Sequence, residues 1–200
     1  MHIRPLAPPS GAAAIPDSHG LNLYRADPDL ARLARLYLPP IWSSILRHIS
    51  TGWAGWRAAS LDALAHQADR NPPELRHRTR RGEDLQSVDY HPAYRDMEQL
   101  AFGEFGLAAL SHRGGVLGWD APMPPAAKYL LTYLFVQAEF GLCCPVSMTD
   151  SLTRTLRKFG DPALVARYLP ALTSQDLDTL DQGSMFMTEQ ERARISPRRR

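Results

Sequence analysis

The sequence predicts an all-α domain, and three observations carry that prediction. Apolar residues recur at helical spacing in one segment after another, from Leu30 to Leu156. Asp-Pro and His-Pro pairs mark helix starts, while Gly and Pro-Pro mark helix stops. Seventeen prolines, with few Ile and Val, favour short helices with frequent breaks. Two hundred residues suffice for one domain with a proper core, since a chain of this size buries about 70% of its unfolded surface.

Taken in order, residues 1–20 are rich in Pro, Ala, Gly and Ser and read as an extended arm, with Leu21 to Tyr24 anchoring it to the core. Asp27 as N-cap and Pro28 at the first helical position start a helix carrying Leu30, Leu33 and Tyr37, which Pro39-Pro40 ends. A second helix takes Ile41, Ile45 and Ile49 on one face, and the Trp53 and Trp56 pair among glycines reads as a core anchor at a helix crossing. Ser60 is expected to cap a third helix, with Leu61, Leu64, Ala65 and Ala68 inward, up to Asn71-Pro72-Pro73. The basic cluster from Arg76 to Gly82 reads as a solvated loop between helices, because Glu83 and Asp84 follow and no aromatic is interleaved. His91-Pro92 opens a long helix whose stripe runs from Tyr94 through Met97, Leu100 and Phe105 to Ala108. The glycines at 114, 115 and 118 lack the strand-before, helix-after context of a phosphate loop. A buried helix is expected over 126–142, another from a Thr149 cap through Leu152 and Leu156, and a short one from Asp161-Pro162 to Tyr168. Residues 170–182 are polar and acidic without periodicity.

Composition narrows the function classes. Net charge is +2, but the last ten residues hold five arginines, and without them the body carries 18 basic against 20 acidic residues. The body therefore has no electrostatic footprint for nucleic acid. Cys143 and Cys144 are adjacent and without metal-ligand spacing, so they read as buried thiols in a reduced cytoplasm. The N-terminus has no continuous apolar segment of the secretory kind. The longest apolar run, 129–140, is interrupted by Thr132, Gln137 and Glu139 and falls short of a membrane span. A cytoplasmic protein is the expectation. Among carboxylates, Asp96 and Glu98 face different ways on one helix, and Glu139 reads as paired or turned to an edge. His48, His66, His77, His91 and His112 show no spacing that suggests a catalytic triad or a metal.

One run departs from the helical pattern. Met185, Phe186 and Met187 are apolar and are followed at once by Thr188, Glu189 and Gln190. An apolar strand ending in a hydroxyl and a carboxylate can grip a flat, partly polar ring, although a buried strand before a turn has the same appearance. The run Gly183-x-x-x-Met187-Thr188-Glu189 resembles the segment at which acyl-CoA dehydrogenases pass from their N-terminal helical domain into their β-domain. Three upstream pieces, at Asn71 to Leu75, Val88 to Tyr94 and Cys144 to Thr149, resemble the alkylation-response branch of that family, the flavoproteins of the bacterial adaptive response to DNA methylation. The resemblance covers roughly residues 15–190.

The resemblance implies a helical domain over 21–182 and the first strand of a β-domain over 183–190. It implies FAD as cofactor, with Thr188 on the polar edge of the ring and Met185, Phe186, Met187, Glu189 and Gln190 along it. It implies α,β-dehydrogenation of an acyl-CoA thioester by the parent family and a homotetramer at full length. No catalytic residue falls within this chain, since the family's catalytic carboxylate, most FAD contacts and the DNA-binding surface lie C-terminal. Residues 191–200 depart from the family's Gly-Gly-Ser-Asp continuation, and the expectation is a frameshift and a truncated, inactive product. A non-catalytic oligomerisation module and nucleic-acid binding through Arg198-Arg199-Arg200 are the competing readings.

Overall fold

The computed structural model describes residues 20–42, Arg47 and 58–185. The arm, Ile45 and Ile49 of the second helix, the Trp53–Trp56 region, Phe186 to Gln190 and the basic tail lie outside the described residues. Within them the expected fold class holds: the architecture is helical, with one small sheet. The elements are α1 (Leu23–Ala26), α2 (Pro28–Tyr37), α3 (Ala58–Arg70), β1 (Glu74–Arg78), β2 (Asp84–Asp89), α4 (Pro92–Glu98), α5 (Pro125–Ala138), α6 (Cys143–Phe159) and α7 (Pro162–Leu172). Residues 40–42 and Arg47 are also helical.

The Asp-Pro and His-Pro starts behave as expected. Asp27 Oδ1 accepts from the amides of Asp29 and Leu30, Asp161 Oδ1 from that of Ala163, and His91 Nδ1 from that of Ala93. Each satisfies amides that a helix start leaves without a partner, and the Pro that follows has no amide to satisfy. The segment expected as the anchor enters the short helical turn α1, Leu23–Ala26, capped by Asn22, whose Oδ1 accepts from the Arg25 amide.

Five boundaries differ from the sequence reading. Ser60 lies inside α3, which already starts at Ala58. Thr149 lies in the middle of α6, which starts at Cys143 and carries Pro145 in its first turn, where a proline costs no hydrogen bond. The buried helix stops at Ala138 because Glu139 leaves helical geometry. Its carboxylate then accepts from the amides of Gly141 and Leu142, turning the chain toward α6. The stripe from Tyr94 does not continue as one α-helix: α4 passes into a π-turn over Gln99–Glu104, and Gly106, at φ 54, ends it. Finally, α7 runs to Leu172 through Pro170, so the segment expected to be irregular is helical for its first three residues.

The basic cluster is not a loop between helices. Residues 74–89 fold back as an antiparallel hairpin, with Glu74 opposite Asp89, Leu75 opposite Val88, Arg76 opposite Ser87 and Arg78 opposite Asp84. Its turn is held by the Thr79 amide on the Glu83 carbonyl at 2.8 Å and by Gly82 at φ 87, a left-handed conformation that glycine adopts without cost.

The core sits where the π-turn and the residues after it meet α2, α5 and the start of α6. Met97, Phe102, Phe105, Leu107, Leu110, Leu131 and Leu142 are buried almost completely. Phe105 and Phe135 meet edge to face at 6.0 Å between ring centres. The two cysteines are free, and the expectation of two buried thiols is corrected: Cys143 is half-buried and Cys144 exposed, because they occupy the first turn of α6.

Candidate functional site

The apolar run that begins at Gly183 can be followed to Met185. Residues 183–185 carry no regular secondary structure and follow the segment after α7 as an exit held in place by its neighbours. The Gly183 amide donates to Thr149 Oγ1 at 3.0 Å, and the same hydroxyl donates to the Pro145 carbonyl at 2.8 Å. Gln182 Nε2 donates to Glu98 Oε1 at 2.9 Å, and the Asp181 amide to the Ala171 carbonyl at 3.2 Å. Glu98 itself is buried and held by Arg95 at 2.6 Å. Three helices thus hold three successive residues. Gly183 is required here by close approach: a Cβ would come within 2.8 Å of the Met148 carbonyl oxygen and 2.9 Å of Thr149 Cα. Beyond this anchor Met185 is 62% exposed, an apolar side chain with one face open. Phe186, Met187, Thr188, Glu189 and Gln190 lie outside the described residues.

Beside the anchor, α6 and α7 form an apolar groove of about 390 Å³, walled by Leu152, Leu156, Leu164, Tyr168 and Leu172 and closed at one end by Asp181 and Gln182. The exit therefore runs from a buried glycine past the end of an apolar trough.

A second constellation has no counterpart in the sequence reading. Asp150, one residue beyond the anchoring Thr149, is buried and ion-paired with Lys128 of α5. Its Oδ1 lies 2.8 Å from His112 Nε2 and accepts from Ser111 Oγ at 3.2 Å, and Arg154 stands 3.7 Å away. On the other side of the ring, Arg157 reaches His112 Nδ1 at 3.4 Å and the His112 carbonyl at 3.2 Å. Because a guanidinium only donates, this network assigns the lone pair to Nδ1 and the proton to Nε2. Burial acts most strongly on Asp150 and would raise its pKa, but the hydrogen bonds from His112 and Lys128 outweigh it and hold the carboxyl at about 2.

This cluster is built for support rather than for chemistry. Ser111 bonds to the carboxylate and not to the imidazole, so no hydroxyl is activated as in a Ser-His-Asp triad. The three central groups are almost fully enclosed, which leaves a substrate no surface to approach. Their positions, 112, 128 and 150, are too far apart in sequence for any spacing rule to join them. Among the described residues no group of three or more His, Cys, Asp and Glu could hold a metal, and no helix is long and apolar enough to cross a membrane.

Residues 14–179 match the family model described as the adaptive response protein AidB N-terminal domain. The solved structure of Bd2924 in its apo form shares the fold at a TM-score of 0.74 and 24% identity, over 86% of this chain and 33% of the other. Caenorhabditis elegans ACDH-11 in complex with C11-CoA does so at a TM-score of 0.74 and 22% identity, over 94% and 31%. The chain thus spans about a third of the length of the solved structures it matches. No curated protein matches the sequence.

Proposed function

The chain belongs to the AidB N-terminal domain family, and from that premise we propose that it supplies the helical wall of a flavin site in an acyl-CoA dehydrogenase-like oxidoreductase. The observation that carries the proposal is the three-point anchor at 181–183, which fixes where the following residues begin. Met185, Phe186 and Met187 would cover the isoalloxazine of FAD, Thr188 would hydrogen-bond its polar edge, and Glu189 and Gln190 would border the approach. FAD, if held there, would supply hydride-acceptor chemistry toward the β carbon of an acyl-CoA thioester. This chain's own part is to orient the ring and exclude water from one face.

Three of the described carboxylates have other tasks: Glu98 and Asp150 are buried in ion pairs, and Glu139 caps a turn. On the family resemblance the catalytic base is assigned to the β-domain and C-terminal bundle of the parent family, and the chain alone would not turn over acyl-CoA. DNA binding, if the parent has it, is assigned to that C-terminal region as well. A cytoplasmic location and a homotetramer at full length complete the reading.

The test is a fusion in which residues 21–190 replace the corresponding domain of an adaptive-response homologue. The purified fusion should hold FAD, read from its visible absorption, and Thr188→Ala should lower its flavin content while the circular dichroism stays unchanged. A folded fusion that carries no flavin, or whose flavin is indifferent to Thr188→Ala, would contradict the assignment.

A further inference from the structure

We infer that the outer edge of β1 is a self-recognition surface, at which a second copy of this chain pairs to make a continuous four-stranded sheet. The hairpin presents two different faces. Glu74, Arg76 and Arg78 alternate with Leu75 and His77, and the register places Asp89, Ser87 and Asp84 opposite the first set. On this polar face Arg76 pairs with Asp89 and Arg78 with Asp84 at 3.3 Å. On the other face Leu75 and Val88 oppose each other and, with Leu85, stay 42–55% exposed. A two-stranded hairpin is marginal in water, and three or more strands with an apolar face are what give a sheet stability of its own. Among the described residues the outer edge of β1 also has no ladder partner.

The occupant follows from charge. An antiparallel copy centred on Arg76 places Glu74 opposite Arg78 of the second copy and Arg78 opposite its Glu74, so each dimer makes two complementary cross-strand pairs. The two central arginines are each neutralised by their own Asp89. In the same register Leu75 lies beside the second copy's His77 on the other face, and the two Leu75–Val88 pairs join into one apolar stripe. The edge of β2 is unsuited to the same use. Self-pairing there would set Asp84 against Asp89, two like charges, and Gln86 at φ 48 bends that strand beside the irregularity in register. One edge is complementary to itself and the other is not.

The experiment uses the whole chain and reads mass against concentration by sedimentation. Wild type should dimerise. Glu74→Arg sets Arg against Arg and Arg78→Glu sets Glu against Glu, so each variant alone should dimerise about tenfold more weakly, as two symmetry-related pairs turn repulsive. An equimolar mixture of the two should form a heterodimer at wild-type strength, because every cross-copy pair is again complementary. Arg78→Glu also gives up the Asp84 pair, but that pair is fully solvated and contributes little. A monomeric wild type, variants that dimerise unchanged, or a mixture no stronger than its components would each overturn the inference. Unchanged far-ultraviolet circular dichroism in both variants guards against simple misfolding.

Discussion

At the scale of single residues, Asp150 and Thr149 do the most, and they are neighbours on one turn of α6. Asp150 neutralises Lys128 and orients His112 inside the helix packing. Replacing it with Asn leaves a buried ammonium without its counter-ion, and the expected loss is roughly 3–5 kcal/mol of unfolding free energy, measured by urea titration. The acid response has a definite sign. Its folded-state pKa of about 2 lies below the ordinary 3.8, so the unfolded chain takes up the proton first on acidification. The stability this carboxyl contributes is complete above pH 3.8 and is lost as the pH falls through about 2. Asp150→Asn should flatten that part of the stability profile; an unchanged profile would place the acid sensitivity elsewhere. Thr149→Val removes the acceptor for the buried Gly183 amide and is expected to cost about 1–3 kcal/mol.

At the scale of elements, the helix starts were legible because their signals are local. Asp27-Pro28, His91-Pro92 and Asp161-Pro162 each put a side-chain acceptor next to a residue with no amide to satisfy. What misled was any residue whose partner is distant. Thr149 has the chemistry of a cap, yet its hydroxyl is used 34 residues away by Gly183. The Arg76–Gly82 cluster looks like a solvated loop until Asp84 and Asp89 come back alongside as the other strand. The π-turn arises where close packing governs: a Cβ at Gly103 would lie 2.2 Å from Gln99 Nε2, and the Gly103 carbonyl accepts from Gln175. In the hairpin, Gln86 holds a left-handed conformation that only glycine adopts freely. Gln86→Gly should therefore be neutral or raise the midpoint of thermal unfolding slightly, by calorimetry. A clear loss would mean that the Gln86 side chain makes a contact that outweighs its strain.

At the scale of the whole molecule, the order of motifs carried more than any one of them. Asn71–Leu75, Val88–Tyr94, Cys144–Thr149 and the Gly183 run are individually ordinary, but their sequence along the chain marked the family that the match over residues 14–179 establishes. The fold gives those pieces physical work. The first two enter and leave the hairpin, the third begins α6 and carries Thr149, and the last is the exit that Thr149 holds. The buried His112–Asp150–Lys128 cluster ties α6 to α5 and to the turn-rich segment at 111–112, so the helix carrying the anchor is itself fixed. The expected strand over 183–190 can be followed only to Met185; up to there the chain is held by two side chains, Glu98 and Thr149, and by the Ala171 carbonyl, contacts that no local pattern reveals.

The central claim is that this anchor aims the residues after Met185 at the flavin. The most direct measurement is the FAD content and visible spectrum of the fusion carrying Thr149→Val, beside one carrying Asp150→Asn adjusted to equal folded fraction. Thr149→Val acts on the exit itself, so it should reduce bound FAD or shift its absorption envelope even when the protein is fully folded, whereas Asp150→Asn should leave both as in the unsubstituted fusion. Equal FAD and equal spectra in all three folded proteins would mean that the exit does not position the flavin-facing run.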